Sequence, residues 1–335
     1  MPSLARLYVK AALGAAGRRG RDLPAVERAR EVPVDRVHLA EYARLCGFPV
    51  GDALPVTYAH VLAFPLQVEL MAGRDFPLPL PGLVHVRNTI TAHRPVDARE
   101  RLTVRVHAER LAAHPRGAQV DLVAEVTAGG EPVWHGRSTY LARGATASAA
   151  GAQPAARAHP PPSQGGRPRL QPIRTRAADR VVGESCGQPR AMWTTRRVRN
   201  AEPDPPDPPA PSGIESGPPA ATWRVAADTG RRYAHVSGDV NPIHLHPLTA
   251  RAFGFPRAIA HGMWTAARAV ASLQGRLPAA FAYDVAFGRP LLLPSTVELR
   301  TRRDGGGWTL DVRSANGPHM AAAIRPCRIG AAGWP

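Results

Sequence analysis

This chain writes one pattern twice. Tyr42-Ala43-Arg44-Leu45-Cys46-Gly47 is echoed by Tyr233-Ala234-His235-Val236-Ser237-Gly238. Tyr58-Ala59-His60-Val61 has a counterpart in Ile259-Ala260-His261-Gly262, and each opens an apolar stretch of helical length. Arg94-Pro95-Val96 precedes the strand-like Leu102-Thr103-Val104-Arg105-Val106, as Arg289-Pro290-Leu291 precedes Val297-Glu298-Leu299-Arg300. Three short matches in the same order mark a repeat of one supersecondary unit. A length of 335 residues accommodates two such units, given roughly 150 residues per domain.

Each copy reads as two helices followed by strands. Helices are expected over 38–46 and 58–72, then over 228–236 and 262–274. Strands are expected over 83–92, 101–111, 118–127 and 132–142, and again over 281–287, 296–303, 307–314 and 319–325. Gly129-Gly130 and Asp304-Gly305-Gly306 supply hairpin turns between them. A long helix followed by antiparallel strands is an α+β layout in which the sheet covers the helix. The boundaries expected are an N-terminal extension (1–36), a first domain (37–143), a linker (144–221) and a second domain (222–335). Residues 151–221 hold 15 of the 36 prolines. The run Pro203-Asp204-Pro205-Pro206-Asp207-Pro208-Pro209 cannot continue a helix or donate to a sheet, so the linker is expected to be disordered.

The formal charge of +17 invites a nucleic-acid reading. Its composition argues otherwise: Lys10 is the one lysine, the rest of the basic charge is arginine, and no dense basic run occurs. Residues 222–335 carry 14 basic and 6 acidic groups, against 11 and 10 in 37–150. Cys46, Cys186 and Cys327 are far apart and form no CxxC pair, which points to a reducing cytoplasm and away from a cysteine zinc site. No apolar run reaches the ~18 residues of a membrane helix. Leu4 to Ala16 is weakly amphipathic and reads as a surface helix.

The residues that carry chemistry cluster in the second copy, in Ser237-Gly238-Asp239-Val240-Asn241-Pro242-Ile243-His244, followed by Gly254-Phe255 and Ile259-Ala260-His261-Gly262-Met263. Asp239 and Asn241 alone could be turn-formers around Pro242. With His244 five residues beyond Asp239, the segment offers a carboxylate and an imidazole to one pocket, the pair that general acid–base work needs. Gly262 would start a helix. Its N–H is then an unsatisfied donor at the positive end, open to close approach. His244 and His246 could instead be metal ligands with Asp239 or His261, but the sequence names no further committed ligand. His261, Trp264 and Phe255 read as packing residues, and Ser237 as a partner of the Asp239 turn or a simple cap.

This cluster resembles the signature of the MaoC-like, (R)-specific enoyl-CoA hydratases of the hotdog superfamily, from Tyr233 to Met263. The resemblance implies a double hotdog, with two antiparallel sheets each wrapped around a long central helix. It implies Asp239 and His244 as a catalytic dyad holding water, Asn241 and Ser237 in support, and the Gly262 N–H on the thioester oxygen. The reaction implied is reversible hydration of a trans-2-enoyl-CoA to a (3R)-3-hydroxyacyl-CoA. Alternatives are dehydration of a 3-hydroxyacyl-carrier-protein, or a thioester-binding subunit without catalysis. No cofactor, metal, nucleic acid or membrane is expected as a partner; an acyl thioester is, with the two copies imitating a dimer and a further homodimer open.

The first copy looks degenerate. Aligning Tyr42 with Tyr233 places Phe48 at Asp239, Ala53 at the ungapped counterpart of His244, and Val61 at Gly262. The first copy is therefore expected to lack an active site and to complete the acyl pocket, with Phe64, Pro65 and Leu66 as packing residues.

Overall fold

The computed structural model describes residues 22–145 and 218–327. The helix expected over 4–16 and nearly all of the 144–221 linker lie outside them. The first copy comprises β1 (Arg28–Val32), α1 (Arg36–Cys46), α2 (Tyr58–Met71), β2 (Val84–Ala92), β3 (Leu102–His114), β4 (Gly117–Ala128) and β5 (Glu131–Arg143). The second comprises β6 (Ala221–Val225), α3 (Thr229–Ser237), α4 (Pro242–Leu245), α5 (Pro247–Ala252), α6 (Gly262–Ala271), β7 (Phe281–Phe287), β8 (Ser295–Asp304), β9 (Gly307–Ser314) and β10 (Gly317–Pro326).

All ten strands belong to one antiparallel sheet, in the order β1-β3-β4-β5-β2-β7-β10-β9-β8-β6. The α+β double hotdog is as expected, with one difference: the two sheets are continuous. Strand β2 pairs with β7 from Arg87↔Ala286 to Ala92↔Phe281. An unpaired strand edge presents bare backbone donors and acceptors, and this pairing satisfies two such edges at once. The outer edges are closed by β1 and β6, five residues each, against β3 and β8. Residues 28–32 of the expected N-terminal extension thus belong to the first sheet.

The central helices are buried because they are apolar all round. In α2, Tyr58, Val61, Phe64, Leu66, Val68 and Met71 are all buried on different faces, and Glu69 meets Arg30 of β1 at 3.2 Å. In α6 everything from Met263 to Ala271 except Arg268 is buried. After Ala271 the chain tightens into turns, with the amides of Ser272, Leu273 and Gln274 each bonding a carbonyl three residues back. That accounts for a helix expected to reach 274.

Tyr42 of α1 and Tyr233 of α3, the residues that first revealed the repeat, meet at its centre with rings 6.3 Å apart. Both are at most 2% exposed. The His38 Nε2–H donates to the Val236 carbonyl at 2.7 Å, tying the two copies by their shorter helices.

Candidate active site

Helix α3 ends at Gly238, whose φ of 73° lies in the left-handed region and whose amide bonds the Ala234 carbonyl at 2.9 Å. Glycine adopts this turn without the clash a Cβ would bring. The chain then reverses into Asp239. Its amide donates to Ser237 Oγ at 3.1 Å, and its Oδ1 accepts from the Asn241 amide at 3.2 Å. Pro242 occupies the first turn of α4, where a missing N–H does no harm, and His244 is carried on that single turn.

Asn241 fastens this loop to the first copy. Its Nδ2–H donates to the Leu83 carbonyl at 3.0 Å, and its Oδ1 accepts from the Gly82 amide at 3.4 Å. Asn241 is 5% exposed. Asn241→Ala would leave a buried carbonyl unmet and the loop untied, a loss of about 1–3 kcal/mol. Chemical denaturation is expected to report that loss.

His244 is buried, and its Nδ1 lies 2.9 Å from the Ile259 carbonyl. A carbonyl only accepts, so Nδ1 carries the hydrogen and Nε2 keeps a lone pair in the neutral ring. Burial, helped by the adjacent His261 and opposed by Asp239, lowers its pKa to about 3. His261 precedes α6, stacks on His244 with ring centroids 3.6 Å apart, and donates Nε2–H to the Asp239 carbonyl at 2.9 Å. Its Nδ1 is buried without a hydrogen-bond partner. Burial also lowers the His261 pKa. Its packing role is as expected, and it packs against His244 and the Asp239 backbone themselves.

Donor atoms of Asp239, His244 and His261 lie within 4.8 Å of one another. Among the described residues these are the groups that could hold a metal. His246 is exposed and instead caps α5, accepting the Leu248 amide on its Nδ1.

Gly262 is the first residue of α6, and a Cβ there would come within 3.0 Å of the Phe287 ring. Its side faces a cavity of about 90 Å³ that also reaches Ser237, Asp239, Asn241 and His244. All five residues expected from the motif therefore converge.

The opposite wall comes from the first copy. Phe64 lines the cavity from α2, as expected of a packing residue, while Pro65 and Leu66 do not reach it. His60, His85 and Tyr140 reach it too, and the sequence reading missed them. His85 stacks on Tyr140 at 4.5 Å and on His60 at 5.8 Å. Burial pushes the pKa of His60 down to about 4 and that of His85 to about 3, and raises that of the Tyr140 hydroxyl. A histidine inside a mostly apolar helix, and another in strand β2 of the same copy, were the available signals.

The first copy's own alignment needs correction. Gly47, like Gly238, ends its helix in the left-handed region, with φ of 80°, so Phe48 does stand at Asp239. Beyond that point the Leu54 amide bonds the Val96 carbonyl as the Ala260 amide bonds that of Leu291, at 2.9 and 2.8 Å. Ala53 bridges Asp97 as Ile259 bridges Leu292. Ala53 is thus the counterpart of Ile259, and Val56, not Val61, is that of Gly262. The segment bearing α4, α5 and His244 has no equivalent in the first copy.

A model of the MaoC-like domain matches residues 213–314. The 3-hydroxyacyl-thioester dehydratase X of Mycobacterium tuberculosis is 35% identical over 297 residues, covering 88% of this chain and 87% of that protein. The crystal structure of HtdX from that organism superposes with a TM-score of 0.67 at 33% identity, over 90% of this chain and all of that one. A MaoC-like dehydratase from Phytophthora capsici shares the fold, with a TM-score of 0.59 at 17% identity over 91% and 96% of the two chains. Two hotdogs are fused into one sheet, and a carboxylate and an imidazole stand beside the first turn of one central helix. The chain belongs to the MaoC-like dehydratase family.

Proposed function

We propose that this chain interconverts trans-2-enoyl and (3R)-3-hydroxyacyl thioesters, with CoA as the carrier, through Asp239 and His244. One observation carries the reading: a neutral His244 with its Nε2 lone pair free of a proton shares a buried cavity with the Asp239 carboxylate, beside the first turn of α6. The relative named as a 3-hydroxyacyl-thioester dehydratase supports the substrate class.

In the hydration direction, a water held between the two groups gives a proton to His244 Nε2, and its oxygen bonds to Cβ. The π electrons of the alkene move through Cα to the thioester oxygen, where the Gly262 N–H stabilises the negative charge. The Asp239 carboxylate steadies the imidazolium that forms. The dyad then returns a proton to Cα from the same face, which makes the addition syn. Run backwards, the same steps expel water. Asn241 and Ser237 hold the loop that aims the pair.

The purified chain is expected to hydrate crotonyl-CoA, seen as loss of enoyl absorbance. Comparing CoA-linked with carrier-protein-linked enoyl thioesters from C4 to C16 identifies the carrier, and no turnover of either would reject an enzymatic role. The pH profile is a second check. A histidine with its pKa lowered to about 3 is unprotonated throughout the neutral range. kcat/KM should therefore stay level from pH 8 down to the onset of acid unfolding, without the limb near pH 6.5 of an ordinary imidazole.

A cytoplasmic setting fits the free thiols of Cys46 and Cys327. Among the described residues no helix is long and apolar enough to cross a membrane.

A further inference from the structure

We propose that the first copy keeps a second acyl-chain site, a binding pocket without catalytic groups, in the place that corresponds to the active site of the second copy. A cavity of about 380 Å³ lies there, against about 90 Å³ at Asp239 and His244.

The correspondence runs residue by residue. Phe48 stands for Asp239, Ala53 and Val56 for Ile259 and Gly262, and Arg94-Pro95-Val96 for Arg289-Pro290-Leu291. The far wall of the catalytic cavity is supplied by the other copy, by Met71 and Leu80 at and after the end of α2. The far wall of this one is likewise supplied by the other copy, by Leu277 and Phe281 after the end of α6. Both cavities therefore sit between the copies, at opposite ends of the repeat.

Loss of the segment equivalent to α4 and α5 explains the larger volume. It took away the imidazole and the loop that carries it, and Phe48 replaced the carboxylate. The resulting walls are Leu54, Val56, Ala59, Val126 and Trp134. The indole Nε1–H donates to the Val56 carbonyl at 2.8 Å, and the Arg94 guanidinium at the rim grips Glu100 at 2.9 and 2.6 Å. Both polar groups are engaged within the chain and the walls named are apolar, so the pocket suits an aliphatic chain. Gln274 and Gly275 are exposed at its lip and leave a way in. With Phe48 in place of the carboxylate, an enoyl thioester bound here undergoes no hydration. The choice of an acyl chain rests on the thioester reading of the catalytic cavity; the existence of an apolar site does not.

Calorimetric titration of the full chain with decanoyl-CoA and, separately, with decanoate tests the assignment. The saturated chain cannot be hydrated, so binding alone is read. Two ligands per chain are expected for at least one of the two probes. Whichever probe binds twice tells a thioester from a free acid. Ala92→Phe fills the cavity and Leu277→Asp places a charge on its wall; each should reduce the count to one, with crotonyl-CoA hydration within twofold of wild type. Retained hydration shows that a variant is folded, and if Ala92→Phe is not, Leu277→Asp decides. One ligand per chain for both probes, or two that survive both variants, overturns the second site. A chain that never hydrates crotonyl-CoA, yet loses one decanoate in the variants, keeps the second site and refutes the thioester reading.

Discussion

Asp239→Asn and His244→Ala are each expected to slow crotonyl-CoA hydration by about 10²–10⁴-fold, the usual contribution of a positioned acid–base group. The amide of Asn keeps the shape of the carboxylate and can still accept from the Asn241 amide, so the loop should survive. What disappears is the negative charge that holds water and steadies the imidazolium. His244→Ala removes the Nε2 lone pair itself, and also the ring that stacks on His261 at 3.6 Å, so its thermal midpoint should fall while that of Asp239→Asn barely moves. The two lesions strike one unit. The double variant should therefore be scarcely slower than the worse single one. Residual turnover above a few per cent in either variant would point to a second active site, and the first copy, with Phe48 at the carboxylate position, leaves no group to run one.

Acid should unfold this protein early. His60, His85, His244 and His261 surround one cavity, and burial holds the pKa of each below its ordinary value, to about 4 for His60 and about 3 for His85 and His244. A histidine whose folded pKa lies below its unfolded one binds a proton more readily in the unfolded chain. Stability is then complete above pH 6.5 and is lost as the pH falls from 6.5 toward 3. Each shift of one pH unit amounts to 1.36 kcal/mol, so at pH 5 a fully buried imidazole contributes a loss of up to about 2 kcal/mol. Asp239 opposes the shift at all four sites without reversing it. A fall in thermal midpoint of roughly 10 °C between pH 7.5 and pH 5 is expected, and His60→Phe should make the slope shallower. A midpoint indifferent to pH over that range would mean that these rings are solvated or already charged.

The second copy was legible because its chemistry is compressed. Asp239, Asn241, Pro242 and His244 fall within six residues, and the first three are residue types that a tight turn selects. Hairpin glycines and alternating strands also marked most of the sheet. Three things escaped, each settled by contacts across the chain. Strands β1 and β6 are only five residues long, too short to show a clear alternation, and their registers against β3 and β8 make them strands. Helices α4 and α5 each begin at a proline and are too short to show a period. The match of Ala59-His60-Val61 with Ala260-His261-Gly262 was a coincidence of letters: backbone bonds from Leu54 and Ala260 set the true register, and no local pattern announces a deletion. His60 therefore has no counterpart in His261, and it lines the cavity of Asp239 and His244 from across the repeat.

The junction of β2 and β7 has a bearing on dilution. Two separate hotdog chains that met along such an edge would part at low concentration, and the wall supplied by His60, His85 and Tyr140 would leave with the departing partner. Here the covalent connection fixes the local concentration of each copy for the other, in the millimolar range or above for a tether of ordinary length. Turnover per molecule should accordingly be the same at nanomolar and micromolar enzyme. Such permanence also frees the two copies from having to stay alike: in a chain that can never exchange its partner, one copy can lose the segment that the other keeps.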